Sequence, residues 1–170
     1  MPMRMFGWLT IFALSLAQAD ASPCAPPNPV AAYLNAHPHW AVLQINDLVA
    51  DDRMLWHEYH EGFCPGIARV ALDNTGMPSY ALVLRDVRKK LEELVVLKAE
   101  AGKFREVVLE PPYAAEGTVV WRAPPGTTQD VYKGRKVRIT HDSIIWERME
   151  AAAQQIYFSG GKFHRIQTSD

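Results

Sequence analysis

Residues 67–84 read IARVALDNTGMPSYALVL, and the strand signals are strong along this stretch. Two apolar runs, Ile67 to Leu72 and Tyr80 to Leu84, flank the turn-forming residues Asp73 to Pro78. Short runs rich in apolar and β-branched residues are typical of strands, and a segment with glycine and proline between them favours chain reversal. The stretch therefore predicts one β-hairpin.

The chain that follows, residues 85–109, fits two structures. Its segment RKKLEEL is rich in helix formers and leaves open a helix over Val87 to Lys98. The runs Leu94 to Leu97 and Val107 to Leu109 instead favour strands. Because Gly102 lies between these runs, we expect Ala99 to Lys103 to form a hairpin loop.

The C-terminal half continues with short strands and turns. Loops are predicted at Pro111-Pro112 and from Pro124 to Thr128. A tight turn is predicted at Ser159-Gly160-Gly161, because glycine takes the positive φ angles that such turns need. The predicted strands are Thr118 to Arg122, Lys136 to Thr140, Ile144 to Glu147, Gln155 to Phe158 and Lys162 to Ile166.

Two short helices and one strand are predicted before the first hairpin. Asn28-Pro29 suits a helix start, so a helix should run to Ala36. Trp40 to Ile45 is apolar enough for a strand, and Asp51-Asp52 should begin a second helix. The predicted fold is mainly β (α+β). It is one domain over residues 22–170, an antiparallel sheet or sandwich of about seven to nine short strands with two small N-terminal helices.

The N-terminus predicts export. Arg4 precedes an apolar run from Met5 to Ala17, and the small residues that follow suit a signal peptidase. We interpret residues 1–21 as a signal peptide, with a mature protein that starts at Asp20 or Ser22 and is periplasmic or secreted. The run is shorter than the roughly 20 residues that span a bilayer, so no stable membrane insertion is expected after cleavage. A retained anchor is the alternative.

Export would place the two cysteines, Cys24 and Cys64, in an oxidising compartment. In an oxidising compartment a disulfide between them is expected. A metal pair and a catalytic thiol are the alternatives, but cysteines so far apart lack the close spacing of zinc ligands.

The segment Cys64-Pro65-Gly66-Ile67-Ala68, followed by Asp73 to Leu84, resembles small exported bacterial proteins related to FG-GAP and VCBS repeats. Such repeats often serve as binding scaffolds, so the resemblance implies binding rather than catalysis. The family's turn is typically Asp-x-Asp-Gly-x-Gly, whose carboxylates can hold calcium. Here Asp73 is the turn's one carboxylate, and Asn74 and Thr75 offer neutral oxygens. A metal-free turn, and no cofactor, is therefore expected.

A second resemblance lies near the C-terminus. The segment Ser159-Gly160-Gly161-Lys162-Phe163 is similar to the serine-glycine loop that bacterial lysozyme inhibitors insert into an enzyme cleft. The resemblance implies that Ser159, Gly160 and Lys162 bind a partner. Phe163 stands where that family usually has tyrosine, and a plain hairpin turn is the alternative explanation of the glycines.

The richest polar cluster is WHEYHE, residues 56–61. On a helix, His57 and His60 share a face and with Glu61 could bind zinc for metal-assisted hydrolysis. Ordinary surface histidines at a helix end are the favoured interpretation. Trp56, His57 and His60 remain candidate binding residues.

No catalytic residue is predicted. A Ser-His-Asp set would have to come from His141, Asp142 and Ser143, and neighbours in one turn cannot easily point at one another as a relay requires.

Charge and aromatic content favour local recognition. With 18 Lys and Arg against 19 Asp and Glu, the net charge of -1 gives no case for nucleic-acid binding. Basic residues cluster at 85–90 and 133–138, where they could meet an acidic partner or anionic lipid. Glu92, Glu93 and Asp130 lie among them, so a salt-bridged solvent face is the favoured interpretation. The tryptophans suited to an interface or a core are Trp40, Trp56, Trp121 and Trp146.

These patterns predict a non-enzymatic exported protein that binds another protein, as an inhibitor or immunity protein against a cell-wall hydrolase or toxin. Two alternatives stay open. One is a metal-assisted hydrolase that uses His57, His60 and Glu61, and the other is a structural protein of the envelope.

Overall fold

The structure, a computed structural model, describes residues 23–149 and 151–169. The predicted signal peptide lies outside these residues. Two helices come first, α1 (Asn28–Ala36) and α2 (Ala50–His60), with a 3-10 turn at Ile45–Asp47 before α2. The strands β1 to β11 are, in chain order, Ala41–Val42, Ile67–Val70, Ser79–Asp86, Leu91–Glu100, Lys103–Ala114, Thr118–Ala123, Gly126–Asp130, Arg135–Ile139, Ser143–Arg148, Ala153–Ser159 and Lys162–Ser169.

The strands form three antiparallel sheets. The first has the order β1-β3-β4-β5, and β2 pairs with β3 beside β1. The second has the order β11-β10-β9-β6, and β7 and β8 make a separate two-stranded hairpin. The mainly β fold with antiparallel sheets and two helices is therefore confirmed.

The two central strands of the first sheet, β3 and β4, are buried on both faces. Val83 and Val96 point into a core shared with residues of the second sheet such as Ile144. Their chain neighbours Leu82 and Val95 point the other way, into a second core. Because side chains alternate between the faces of a strand, β3 and β4 are apolar at successive positions rather than at every second one.

The disulfide Cys24–Cys64 is present, with the two Cα atoms 4.8 Å apart, and its prediction is confirmed. The next residues join the sheets. The Pro65 carbonyl accepts a hydrogen bond from the Val120 amide of β6 at 2.8 Å. A Cβ on Gly66 would overlap the Leu43 carbonyl oxygen, so only glycine fits there. The Cys-Pro-Gly segment therefore ties the N-terminal segment to both sheets.

Several predicted elements need correction. The part of the chain that the structure describes has eleven strands rather than the predicted seven to nine. The alternative helix over residues 87–98 is wrong, because β4 occupies Leu91–Glu100 after a turn. The predicted strand from Trp40 to Ile45 shortens to Ala41–Val42, since the chain turns at Ile45–Asp47.

Two predicted loops are strands. A loop is predicted from Pro124 to Thr128, but Gly126–Asp130 is β7. Its sequence GTTQD lacks the apolar residues that indicate a strand. Pro111 and Pro112 lie inside β5, the edge strand of its sheet. Proline lacks an amide donor and is tolerated at edges and bulges, and the β4–β5 register shifts at this point.

Candidate functional site

A cleft of about 600 Å³ opens beside the disulfide. The end of α2 and strands β2 and β6 form its walls, and the extended segment before α1 borders it. Its lining includes Pro23, Ala25, His60, Phe63, Tyr80 and Trp121. This volume lies within the range of ligand pockets, which are mostly apolar with a few polar groups.

One wall of the cleft is an aromatic stack. The His60 ring contacts two indoles, at 4.4 Å from the centroid of Trp56 and 4.6 Å from that of Trp121, and the two indoles meet edge to face at 6.2 Å. Trp56 is 1% exposed, so it supports the wall from behind while His60 and Trp121 are partly exposed. Burial lowers the pKa of His60 below its ordinary value, which favours the neutral ring at pH 7.

The rim of the cleft carries an exposed aromatic ring. Phe63 is 68% exposed and follows α2 after Gly62, whose φ of 79° reverses the chain. The Trp56 indole donates to the Phe63 carbonyl at 3.0 Å, and the Phe63 amide donates to the His60 carbonyl at 3.1 Å. These bonds fix the backbone at Phe63 while its ring stays available to a partner.

The disulfide holds another border of the cleft. Cys64 lines the cleft, and its bond to Cys24 fixes the segment that contains Pro23 and Ala25. A border held in place loses little conformational entropy when a ligand binds.

Two arginines stand at one end of the cleft. Arg122 pairs with Asp142 at 3.0 Å. Arg69 is exposed, and its guanidinium forms no ion pair within residues 23–149 and 151–169. Both arginines also line a second cleft of about 290 Å³, so the apolar cleft continues into a polar one. A free guanidinium here suits a carboxylate on a ligand.

The histidines of α2 do not come together with other side chains that could bind a metal ion. His57 is exposed, whereas His60 turns into the aromatic wall. Within the part of the chain that the structure describes, no three or more His, Cys, Asp and Glu side chains are grouped to hold a metal ion, and His57, His60 and Glu61 are no exception.

The Ser159 loop lies apart from this site. Gly160 and Gly161 have φ of 58° and 80° and join β10 to β11 in a tight turn. Ser159 and Lys162 are exposed, but neither they nor Gly160 line the two clefts described above. The structure therefore does not bring the loop together with Trp56 and His60.

In the Asp73 turn, both carboxylate oxygens of Asp73 have partners. Oδ2 accepts from Lys98 Nζ at 2.8 Å, and Oδ1 accepts from the Thr75 amide at 3.0 Å. Burial alone would raise the pKa of Asp73, but the hydrogen bonds from Lys98 and Thr75 outweigh it and leave the pKa below its ordinary value. An ammonium group thus occupies the position beside the carboxylate.

The three residues of the Ser-His-Asp set are engaged elsewhere. Ser143 is buried and accepts from Gln155 Nε2 at 2.7 Å. His141 Nε2 lies 3.0 Å from Asn74 Oδ1, and Asp142 accepts from the Ala71 amide. The turn that contains them connects the segment after β2 to the start of β9 in the second sheet.

Sequence reasoning did not single out Phe63, Arg69 or Tyr80, and grouped Trp121 with the other tryptophans. These residues come from separate segments that meet only through the pairing of β2 with β3 and the contact of β2 with β6. The one local signal was the aromatic residue Phe63, because it directly precedes Cys64 of the predicted disulfide.

Comparison of the chain with protein-family models, with curated proteins and with solved structures finds no match. None of the helices that the structure describes is long and apolar enough to cross a membrane.

Proposed function

We propose that the chain is an exported, non-enzymatic protein that binds a segment of another protein in the aromatic cleft. In this role it is an inhibitor or immunity protein against a cell-wall hydrolase or a toxin. The observation that carries the proposal is the exposed Phe63 ring on the rim of a cleft walled by His60 and Trp121.

The cleft suits inserted side chains of a partner. Binding hot spots are aromatic residues and arginine in well-packed pockets, and His60, Trp121 and Phe63 offer such a setting. The disulfide and the backbone hydrogen bonds at Phe63 hold the walls before the partner arrives. Preorganised walls raise affinity because less motion is lost on binding.

The two arginines at the end of the cleft indicate which chemical groups a partner should carry. Arg69 has no ion pair among the described residues, and Arg122 is already matched by Asp142. A partner that places an apolar side chain on Trp121 and a carboxylate on Arg69 would satisfy both ends of the cleft.

The experiment compares two exposed aromatic residues. Phe63 is 68% exposed and lines the cleft, whereas Tyr59 is 66% exposed and does not. A photo-crosslinking amino acid is placed at each position in the full chain, which is exposed to periplasmic extract and to a panel of purified lysozymes, amidases and toxins. We expect a partner that crosslinks from position 63 and not from position 59.

The purified partner then tests the site directly. Phe63→Ser should weaken its binding by roughly 30-fold, the loss expected for a hot-spot aromatic, and Tyr59→Ser should change it little. Equal crosslinking from both positions, or a partner indifferent to Phe63→Ser, contradicts the proposal.

A further inference from the structure

The β7–β8 hairpin presents a cationic face. In its register, Lys136 lies opposite Gln129 and Arg138 lies opposite Thr127, and all four residues are exposed. Residues paired in this way point to the same face of a hairpin. The other face lies toward the protein at Ile139, which is buried. The outward face thus carries two cations and no acid.

The tip of the hairpin carries apolar surface. Tyr132 is 73% exposed and Val131 is 42% exposed. The buried Asp130 accepts hydrogen bonds from the amides of Tyr132 and Lys133 at 3.2 and 3.1 Å. The Val131 amide donates to the Gln167 carbonyl of β11 at 3.0 Å. The tip is therefore held in shape with its ring exposed.

The cations of this hairpin are not neutralised. A salt-bridged surface was expected here, but Lys133, Arg135, Lys136 and Arg138 form no ion pair within residues 23–149 and 151–169. The other basic cluster differs, since Arg85 pairs with Asp47 at 2.6 Å and Lys89 with Asp86 at 3.9 Å. The one acid of the hairpin, Asp130, is 2% exposed, and its carboxylate accepts hydrogen bonds from backbone amides of the turn.

We propose that the β7–β8 hairpin docks the protein on the surface of a bilayer that contains anionic phospholipids. The cationic face meets the headgroups, and the Tyr132 ring and Val131 enter the interface. Tyrosine favours this depth because its ring is apolar and its hydroxyl is polar. Each basic residue near an anionic surface strengthens binding by about fivefold. An acidic protein is the alternative occupant, and the Tyr132 variant below distinguishes it from a bilayer.

The structure provides a matched control turn. Asp86 accepts hydrogen bonds from the amides of Arg88 and Lys89, as Asp130 does from Tyr132 and Lys133. Val87 is 66% exposed in that turn, at the position that Val131 has in the hairpin. The control turn has cations but no exposed tyrosine. Changes there test whether any basic turn suffices.

The experiment is co-sedimentation of the full chain with vesicles. One set contains equal parts of phosphatidylglycerol and phosphatidylcholine, the other contains phosphatidylcholine alone, both at about 0.1 M salt. We expect binding to the first set only. The double variant Lys136→Gln and Arg138→Gln should lose about 25-fold in affinity, while Arg88→Gln with Lys89→Gln should bind as the wild type does.

The variant Tyr132→Ser distinguishes binding to a lipid surface from binding to other anions. It should weaken binding to the phosphatidylglycerol vesicles and leave binding to the soluble polymer polyglutamate unchanged. Unaltered melting temperatures show that the variants are folded. Equal binding to both vesicle sets, no loss with the double variant, or a tyrosine change without effect on vesicle binding overturns the proposal. The last result would favour an acidic protein as the occupant.

Discussion

The His60 imidazole lies 4.6 Å from the Trp121 indole, centroid to centroid, and joins α2 to β6 across the wall of the cleft. Trp56 backs the same ring at 4.4 Å. A neutral imidazole packs against the two indoles without the cost of burying a charge. Burial lowers the pKa of His60 for this reason and favours its neutral form.

Acidification should destabilise the protein through His60. Burial lowers the pKa of His60 in the folded protein, so the unfolded protein binds the proton more readily. The stability that neutral His60 contributes is fully present above about pH 6.5, the ordinary value, and is lost as the pH falls from there through the lower folded pKa. We expect the melting temperature to fall less steeply from pH 7 to pH 5 in His60→Gln than in the wild type.

His57→Gln is the control for this measurement, because His57 is exposed on the same helix. Its melting temperature should follow the wild-type pH dependence. Parallel curves for His60→Gln and the wild type would show that His60 does not couple stability to pH.

Glu92 should be a strong determinant of stability. Its carboxylate is 1% exposed and accepts hydrogen bonds from the amides of Gly117 and Thr118 at 3.1 and 3.2 Å, and from Thr118 Oγ1 at 3.1 Å. Glu92→Gln places an amide N–H₂ against these donors and should cost about 2 kcal/mol in the free energy of unfolding. The measurement is urea unfolding, with Glu116→Gln as an exposed control that should cost less than about 0.5 kcal/mol. Equal costs would contradict the anchoring role.

Lys90→Gly should stabilise the protein. Lys90 has φ of 54°, and Gly134 has φ of 63° at the same place in the matching turn. A side chain in this left-handed region is strained, and relief of the strain outweighs the added freedom of glycine in the unfolded chain. We expect a gain of about 0.5–1 kcal/mol from thermal unfolding, and a loss of about 1 kcal/mol for Gly134→Ala. A loss with Lys90→Gly would show that the turn is not strained.

Removal of the disulfide should affect stability and binding together. The bond spans 40 positions, and its loop entropy contributes roughly 4 kcal/mol at most to the free energy of unfolding. The double variant Cys24→Ser and Cys64→Ser should unfold at lower urea concentration. It should also bind the partner more weakly in conditions where it is still folded, because the border of the cleft is released. Unchanged affinity in the folded variant would show that the border takes no part in binding.

Local patterns were enough to predict much of the fold. The turn at Asp73 to Pro78 joins β2 to β3 as expected, and the loop around Gly102 joins β4 to β5. Ala101 and Gly102 both have positive φ there, so the glycine was an informative signal. The final hairpin at Gly160 and Gly161 followed from the same chemistry.

The remaining errors have physical causes. The sequence predicts a loop at Pro111 and Pro112, because it does not show that β5 is an edge strand, the position at which prolines are tolerated. The hairpin β7–β8 was missed in part because its exposed strands bury few apolar side chains. Lys98 looks like a surface residue in sequence, yet it is buried between Asp73 and the Phe158 ring.

The candidate site depends on contacts between distant segments. Phe63, Arg69 and Trp121 face one cleft only because β2 pairs with β3 and the Pro65 carbonyl binds the Val120 amide of β6. The spacing of residues in the sequence does not predict such contacts. The histidine pair was visible in the sequence, but the partner ring of His60 was not.

The affinity of the captured partner for Phe63→Ser, measured beside that for Tyr59→Ser, tests whether the aromatic cleft recognises the partner. The two rings are almost equally exposed, and only Phe63 lines the aromatic cleft. A loss of roughly 30-fold for Phe63→Ser with little change for Tyr59→Ser is the expected result. Equal affinities for the two variants would contradict recognition through the cleft.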